Sequence, residues 1–432
     1  MTADHASHLW TPTGWAPTVT STLPTGAWII PGIANLHSHA FQRAMAGLAE
    51  RQTHPQDSFW TWRETMYRFA ARMDPDSTYA VATQLYVEML EAGYTSVCEF
   101  HYLHNQPNGS PYADRGVMSH ALIDAAAAAG IGMTLLPTLY QTSDFGDAPP
   151  TTRQRQFVLS TDDFMQLLAS LKSASGDVVV GAALHSLRAV PRVSLDEVLA
   201  DPTVRRSPIH IHIAEQEREV QECIRALHRR PVEWLLENAP VDERWCLVHV
   251  THANAEELRG VAQTSAVIGL CPTTEANLGD GLFDVPGYLA LEGGIGIGSD
   301  SHICVNAAEE LRWLEYQARL SRRERNVLAT ADQSTGSRLW NAATAAGAQA
   351  SGIKAGAIAV GQRADIVVLD TQSPMLVERK ADALLDTFVF SGQANPIRDV
   401  MVNGRWIVHE GSHFAEIPIA ASYRRAMRTI FG

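Results

Sequence analysis

Residues 28–42 read WIIPGIANLHSHAFQ, a β-rich apolar run that ends in two histidines two positions apart. On an extended strand, positions i and i+2 share a face, so both imidazoles can reach one point in space. Further apolar runs follow at residues 95–102, 132–140, 178–185, 208–214, 246–251, 266–271 and 294–299, and most end in polar residues. Amphipathic stretches with helix punctuation lie between most of them. Asp74-Pro75 opens one that carries Val81, Leu85 and Met89 at i, i+4 spacing, and Gly93 closes it. Residues 118–129 stop at Gly130, and further helices are expected within 162–171, 216–227, 255–261 and 307–319. After the seventh run, residues 272–287 read as a loop. Strand and helix alternating about eight times predicts an α/β fold, a (β/α)8 TIM barrel spanning residues 31–355.

The two chain ends read differently. From Gly356 the sequence runs GAIAVGQRADIVVLD, then DTFVFSG, then IRDVMVNGRWIVHEG, which are short strands with turn signals. Asn403-Gly404 is a strong hairpin cue. Residues 1–30 are too few to fold alone. Residues 1–30 and 356–432 are therefore expected to form one small discontinuous β-sandwich domain beside the barrel.

Composition fits this size and narrows the partners. The chain has 432 residues, 46% of them hydrophobic, and a formal net charge of −13. An acidic surface argues against nucleic acid and against an anionic membrane, which both select basic patches. It does not argue against an acidic small molecule, because a few local arginines can dominate a pocket. No stretch reaches the ~18 apolar residues of a membrane span. The opening MTADHASHLW shows no signal-peptide pattern, and the five cysteines form no C-x-x-C pair. A reducing, cytoplasmic setting is expected.

The chemistry gathers at the strand ends, because such barrels build their sites at the C-terminal mouth. The first run offers His37 and His39. The fifth ends HIHIAEQ, with His210, His212 and Glu215. The sixth ends LVHVTH, with His249 and His252, and the eighth ends GIGSDSH, with Ser299, Asp300 and His302. A lone H-x-H is often two surface histidines, and a lone Ser-Asp after a glycine-rich strand is often a helix cap. All of them together, on different strands of one expected barrel, point to a metal. Imidazole with carboxylate suits Zn2+, with iron as the lesser option.

Other motifs carry less. His409, Glu410 and His413 spell H-E-x-x-H, which binds metal only on a helix, whereas here it follows strand-like RWIV and contains Gly411. Gly294, Gly296 and Gly298 have the wrong spacing for a nucleotide loop. They are expected to let the last strand pack close to the site.

The segments PGIANLHSHAFQ, HIAEQ, LVHVTH, GIGSDS and GQRADIVVLD resemble the amidohydrolase superfamily, in its deaminase branch with one metal. The resemblance covers essentially the whole chain. It implies His37, His39, His212 and Asp300 as ligands to one Zn2+. It also implies Glu215 as proton shuttle and His249 as the residue that orients the attacking water. The residues agree with a single metal: lysine occurs only at Lys172, Lys354 and Lys380, none within an expected barrel strand, so no bridging lysine is present there. Within the branch, AFQRAMAGLAER, SFWTWRETMY, EFHYLHN and LHSLRAV are similar to the formimidoylglutamate deiminase family. That similarity implies removal of ammonia from N-formimidoyl-L-glutamate, a homodimer, and a small anionic substrate derived from an amino acid. Two carboxylates call for the planar donor fork of arginine. Arg63, in a tryptophan-rich loop, and Arg188, after the fourth strand, are the candidates. Gln42, Tyr102 and His185 stand beside them. Two alternatives stay open. One is a nucleobase aminohydrolase, such as a guanine deaminase, in which Trp60 and Trp62 sandwich a flat ring. The other is a metal-free interaction protein on the same barrel, which should lack ligands that this chain has.

Overall fold

The computed structural model describes residues 7–18, 27–52, 55, 57–174, 178–379, 381–392 and 394–432. Lys380 lies outside them. The barrel strands are Ile33–Ser38, Tyr94–His101, Gly132–Leu139, Val179–Val180 with Ala182–Leu184, Ile209–Ile213, Trp245–His249, Val267–Leu270 and Gly294–Ile297. Each pairs in parallel with the next. The ring closes through a parallel bridge between Ser38 and Asp300.

These strands are buried on both faces, which is why they read as nearly continuous apolar runs. Neighbouring residues serve opposite layers. Val97, Leu135 and Leu247 join the helix-facing core with Leu85, Leu122 and Leu167. Cys98, Leu136 and Val248 pack with Leu36, Ala183 and Cys246 inside the barrel. Glycines permit close approach where strands crowd. A Cβ on Gly298 would stand 2.7 Å from His37 Cβ and 2.8 Å from His37 N. Gly298, just past the last strand, thus leaves room for His37, and Gly296 leaves room for Leu36, whereas Gly294 meets only ordinary contacts.

The helices follow their punctuation. Asp74 accepts a hydrogen bond from Ser77 N and caps helix Pro75–Glu91, with Pro75 in its first turn. Val117–Ala129 stops at Gly130, which takes the left-handed conformation. The expected loop at 272–287 is corrected: it holds two short helices, Pro272–Leu278 and Val285–Ala290. Pro272 starts the first, and Gly279 ends it at φ 71°. Each is too short to display a helical period. Arg63 likewise stands in helix Phe59–Ala70 and not in a loop. Ser58 caps it, with Thr61 returning the bond to Ser58 N.

The chain ends meet in one sheet, whose strand order is 412–413, 405–409, 397–402, 366–369, 28–31, 7–11, 14–18. The apolar run at 28–37 therefore serves both sheets, crossing at Gly32. Asn403 (φ 50°) and Gly404 (φ 77°) both take positive φ at the tight hairpin, the type I′ pattern expected of Asn-Gly. Strands 366–369, 397–402 and 405–409 stand where the tail reading expected strands, but DTFVFSG is corrected: its residues 386–390 end the helix Ala381–Phe390, and the helix Glu416–Phe431 was not legible either. It lies along Pro75–Glu91 and ties to the Arg63 helix region through Phe69–Phe431 ring contact and an Arg72 to Ile430 O bond of 2.8 Å.

The H-E-x-x-H segment is strand, turn, strand: Arg405–His409, then Glu410 and Gly411 at positive φ, then Ser412–His413. His413 is buried and hydrogen-bonds Ala129 O at 2.8 Å, which pins the sheet to the barrel. Among the described residues, no helix is long and apolar enough to cross a membrane.

Candidate functional site

Barrel closure and site assembly are one event. Asp300 N donates to His37 O at 2.9 Å, and His39 N donates to Asp300 O at 3.3 Å. These bonds bring the first and eighth strand ends together. His37 Nε2 then lies 3.1 Å from His39 Nε2 and 2.9 Å from His212 Nε2. Asp300 Oδ1 lies 3.5 Å from both His37 Nε2 and His39 Nε2. The backbone is strained here. Ala214, His249, Val250 and Asp300 all take positive φ, a cost that persists where packing and function require it.

The donor set fits a metal ion. His39 Nδ1 bonds Phe100 O, and His212 Nδ1 bonds His185 O, each at 2.9 Å. A carbonyl only accepts, so both Nδ1 atoms carry the proton and both Nε2 atoms present lone pairs. Lone pairs on adjacent buried nitrogens repel unless a cation stands between them. Burial, with the neighbouring histidines, holds His37 and His212 well below the usual histidine pKa, which keeps them in the neutral ligating form. Two ligand atoms about 2.05 Å from one ion at a tetrahedral angle are about 3.3 Å apart, the range seen here. Among the described residues, Lys172 stands away from the cluster, bonding Thr203 O and Ser207 Oγ from helix Thr161–Ala174.

Two further groups face this cluster. His249 Nε2 is 3.8 Å from Asp300 Oδ2 and 3.7 Å from Glu215 Oε1, while His249 Nδ1 bonds Glu275 Oε1 at 3.2 Å. Burial opposes a charge on His249, but Glu215, the Glu275 bond and Asp300 outweigh it and raise its pKa to about 10. Burial pushes the Glu215 carboxyl up to about 7, with Asp300 and Glu219 adding to the shift and His249 opposing it. Glu219 carboxylate oxygens accept Ala214 N and Glu215 N, which fixes the loop that presents Glu215.

A cavity opens above the cluster. Every substrate-side residue expected from the sequence lines it: Gln42, Arg63, Tyr102, His185 and Arg188. Gln42 Nε2 donates to Tyr102 Oη at 3.0 Å, leaving Gln42 Oε1 without a partner. Nε and one terminal nitrogen of both Arg63 and Arg188 are buried without protein partners, and Arg188 is only 7% exposed. Buried N–H groups left unpaired are costly, and an anion in the cavity could satisfy them. Trp60 does not line the cavity. Its ring packs against the guanidinium groups of Arg63 (4.5 Å) and Arg218 (4.3 Å), so its faces are already taken. Of the two tryptophans expected to sandwich a nucleobase, Trp62 lines the cavity but Trp60 does not, so the pair does not enclose a ring there.

Sequence reading passed over several wall and support residues. Tyr67, Tyr140 and Glu219 line the cavity, and Glu275 holds His249 from behind. Tyr67 closes the segment SFWTWRETMY and Tyr140 the apolar run 132–140, but neither was expected in the site, and Glu219 and Glu275 belong to no motif. Glu275 also accepts Cys271 N, through the short helix that the sequence did not reveal.

The profile of the amidohydrolase family matches residues 28–407. The chain is 51% identical to a formimidoylglutamate deiminase from Pseudomonas aeruginosa, over 90% of this chain and 87% of that one. It is 24% identical to a 5-methylthioadenosine/S-adenosylhomocysteine deaminase from Natronomonas pharaonis, over 89% of this chain and 82% of that one. Its structure superposes on a crystal structure of an amidohydrolase from Brucella melitensis with a TM-score of 0.92 and 42% identity, covering 99% of both chains. An adenosine deaminase from Xanthomonas campestris with bound zinc shares the fold at a TM-score of 0.80 and 17% identity, covering 99% of this chain and 98% of that one. The profile match and the two closer relatives agree with the barrel and its strand-end cluster: the chain belongs to the amidohydrolase family.

Proposed function

We propose that this chain is a mononuclear metal hydrolase that converts N-formimidoyl-L-glutamate to N-formyl-L-glutamate and ammonia. The observation that carries the proposal is the pairing of one donor cluster with two arginines, Arg188 buried and Arg63 half-buried, whose Nε and one terminal nitrogen lack hydrogen-bond partners, across a single cavity. The relative from Pseudomonas aeruginosa supports the same reading.

His37, His39, His212 and Asp300 would hold the ion, and zinc suits their mixture of imidazole and carboxylate. When bound, the metal supplies Lewis acidity that makes water nucleophilic near neutral pH. The side chains divide the rest of the work. Asp300 Oδ1 faces the histidine nitrogens, while Oδ2 faces His249, so Oδ2 is the atom free to take a proton from the attacking water. Glu275 fixes His249 with its Nε2 toward that same point. Glu215, whose carboxyl burial pushes up to about 7, can carry a proton near neutrality and delivers it to the terminal nitrogen of the substrate. The water oxygen bonds to the formimino carbon; Asp300 Oδ2 takes one water proton and passes it to the terminal nitrogen, Glu215 gives that nitrogen its proton and is reprotonated by the remaining hydroxyl proton, and the bond from the carbon to the terminal nitrogen breaks to release ammonia. Arg63 and Arg188 receive the carboxylates. Gln42, Tyr102 and His185 position the formimino end.

The test is product identity. Metal-loaded protein with N-formimidoyl-L-glutamate should give N-formyl-L-glutamate and ammonia in equal amounts by proton NMR. Release of glutamate and formamide, which requires the other carbon–nitrogen bond to break, would contradict the assignment.

A further inference from the structure

The arginine end of the cavity holds a second set of groups whose hydrogen-bond polarity is fixed from behind. Gln154 is buried and lies outside the cavity wall. Its Oε1 accepts both Thr151 N and Thr151 Oγ1, each at 2.8 Å. A backbone N–H only donates, so the amide orientation is determined and the far atom is the nitrogen. That nitrogen donates to Tyr140 Oη at 2.6 Å and to Tyr67 Oη at 3.3 Å. Each tyrosine hydroxyl has one proton to give, and here each oxygen is already engaged as an acceptor. The phenolic protons must then point elsewhere. Both rings line the cavity, beside Arg63 and Arg188. Arg63 lies over the Tyr67 ring at 5.6 Å. Burial raises the Tyr67 pKa further, so this hydroxyl stays a donor.

We infer that Gln154 presets Tyr67 and Tyr140 as hydrogen-bond donors to the anionic end of the substrate, completing a carboxylate clamp with Arg63 and Arg188. The clamp needs donors only, and all its members are donors. Gln154 acts through the tyrosines and is a positioning residue. This inference rests on the proposed anionic substrate, and its test is built on binding so that the two can fail separately.

The probe is the product analogue N-formyl-L-glutamate, with its affinity measured by calorimetry on metal-loaded protein. Tyr67→Phe and Tyr140→Phe each delete one hydroxyl and keep the ring. Each should weaken binding about tenfold to a hundredfold, the scale for a hydrogen bond to a charged group. Gln154→Glu has nearly the same shape but only accepts when ionised, so it turns both hydroxyl protons away from the cavity. It should weaken binding at least as much as either phenylalanine variant, with the folded signal intact by circular dichroism. Two truncated analogues, each lacking one carboxylate, locate the effect: the one without the clamped carboxylate should bind parent and tyrosine variants alike. Unchanged affinity for N-formyl-L-glutamate in both phenylalanine variants would overturn the clamp, as would equal losses with both truncated analogues. Parent protein that binds N-formyl-L-glutamate but does not turn over the formimidoyl compound would count against the proposed reaction alone.

Discussion

Replacing Arg188 separates the substrate assignment from the metal chemistry. Its guanidinium sits on the cavity wall, buried, with Nε and a terminal nitrogen unpaired. Glu219 and Asp144 act on Arg188 through their charge, but among the described residues neither forms an ion pair with it, and Glu219 oxygens accept Ala214 N and Glu215 N. A substrate carboxylate would therefore gain a bidentate, desolvated contact here. Cutting one side of such a pair costs about 2–5 kcal/mol, or roughly 30-fold to 5,000-fold. Arg188→Met should reduce kcat/KM for N-formimidoyl-L-glutamate within that range. Arg188→Lys should fall between parent and Met, because a point charge cannot supply the fork. The same substitution removes unpaired buried donors, each worth about 1–3 kcal/mol when left unsatisfied. Arg188→Met should consequently melt no lower than the parent by more than a few degrees. Ammonia release, thermal melting and elemental metal content on the same preparations decide the matter. A kcat/KM within threefold of the parent in Arg188→Met would refute the carboxylate role. Loss of metal in that variant would refute the division between the two ends of the cavity.

Other outcomes are expected from the same geometry. Glu215→Gln should retain its metal and lose turnover by roughly 10²–10⁴-fold, the usual scale for general acid–base catalysis; metal loss would move Glu215 into the ligand set. The double substitution His37→Ala with His39→Ala should abolish metal retention while the barrel still folds, and the parent should hold one ion per chain by elemental analysis. Two tightly held ions would contradict the single donor focus. His413→Ala should keep metal and activity but melt lower, since it breaks the 2.8 Å bond to Ala129 O; loss of metal would revive the H-E-x-x-H motif.

The barrel was readable because a parallel strand buried on both faces writes itself as a short apolar run, and because its last residue turns polar at the mouth. His37, His39, His212, His249 and Asp300 all sit at such run ends. The hairpin at Asn403-Gly404 was readable for a related reason: its φ values demand those residue types. Helix Phe59–Ala70 was hidden by its cluster of tryptophans, although Ser58 marked its cap. Pro272–Leu278 was hidden by its length. Glu275 and Gln154 carried no signal of any kind. Glu275 meets His249 across 26 positions, and Gln154 meets Tyr67 across 87. Such roles arise only when the fold brings distant segments together, and local periodicity holds no record of them.

The central claim is that the donor cluster serves a dianionic formimidoyl substrate and not a nucleobase. The direct measurement is ammonia release from N-formimidoyl-L-glutamate, guanine and adenosine by one metal-loaded preparation. The expected result is a kcat/KM of about 10⁴ M⁻¹s⁻¹ or more for the formimidoyl compound, in the ordinary enzymatic range, with no turnover of either purine. Purine turnover with silence on N-formimidoyl-L-glutamate would contradict the account.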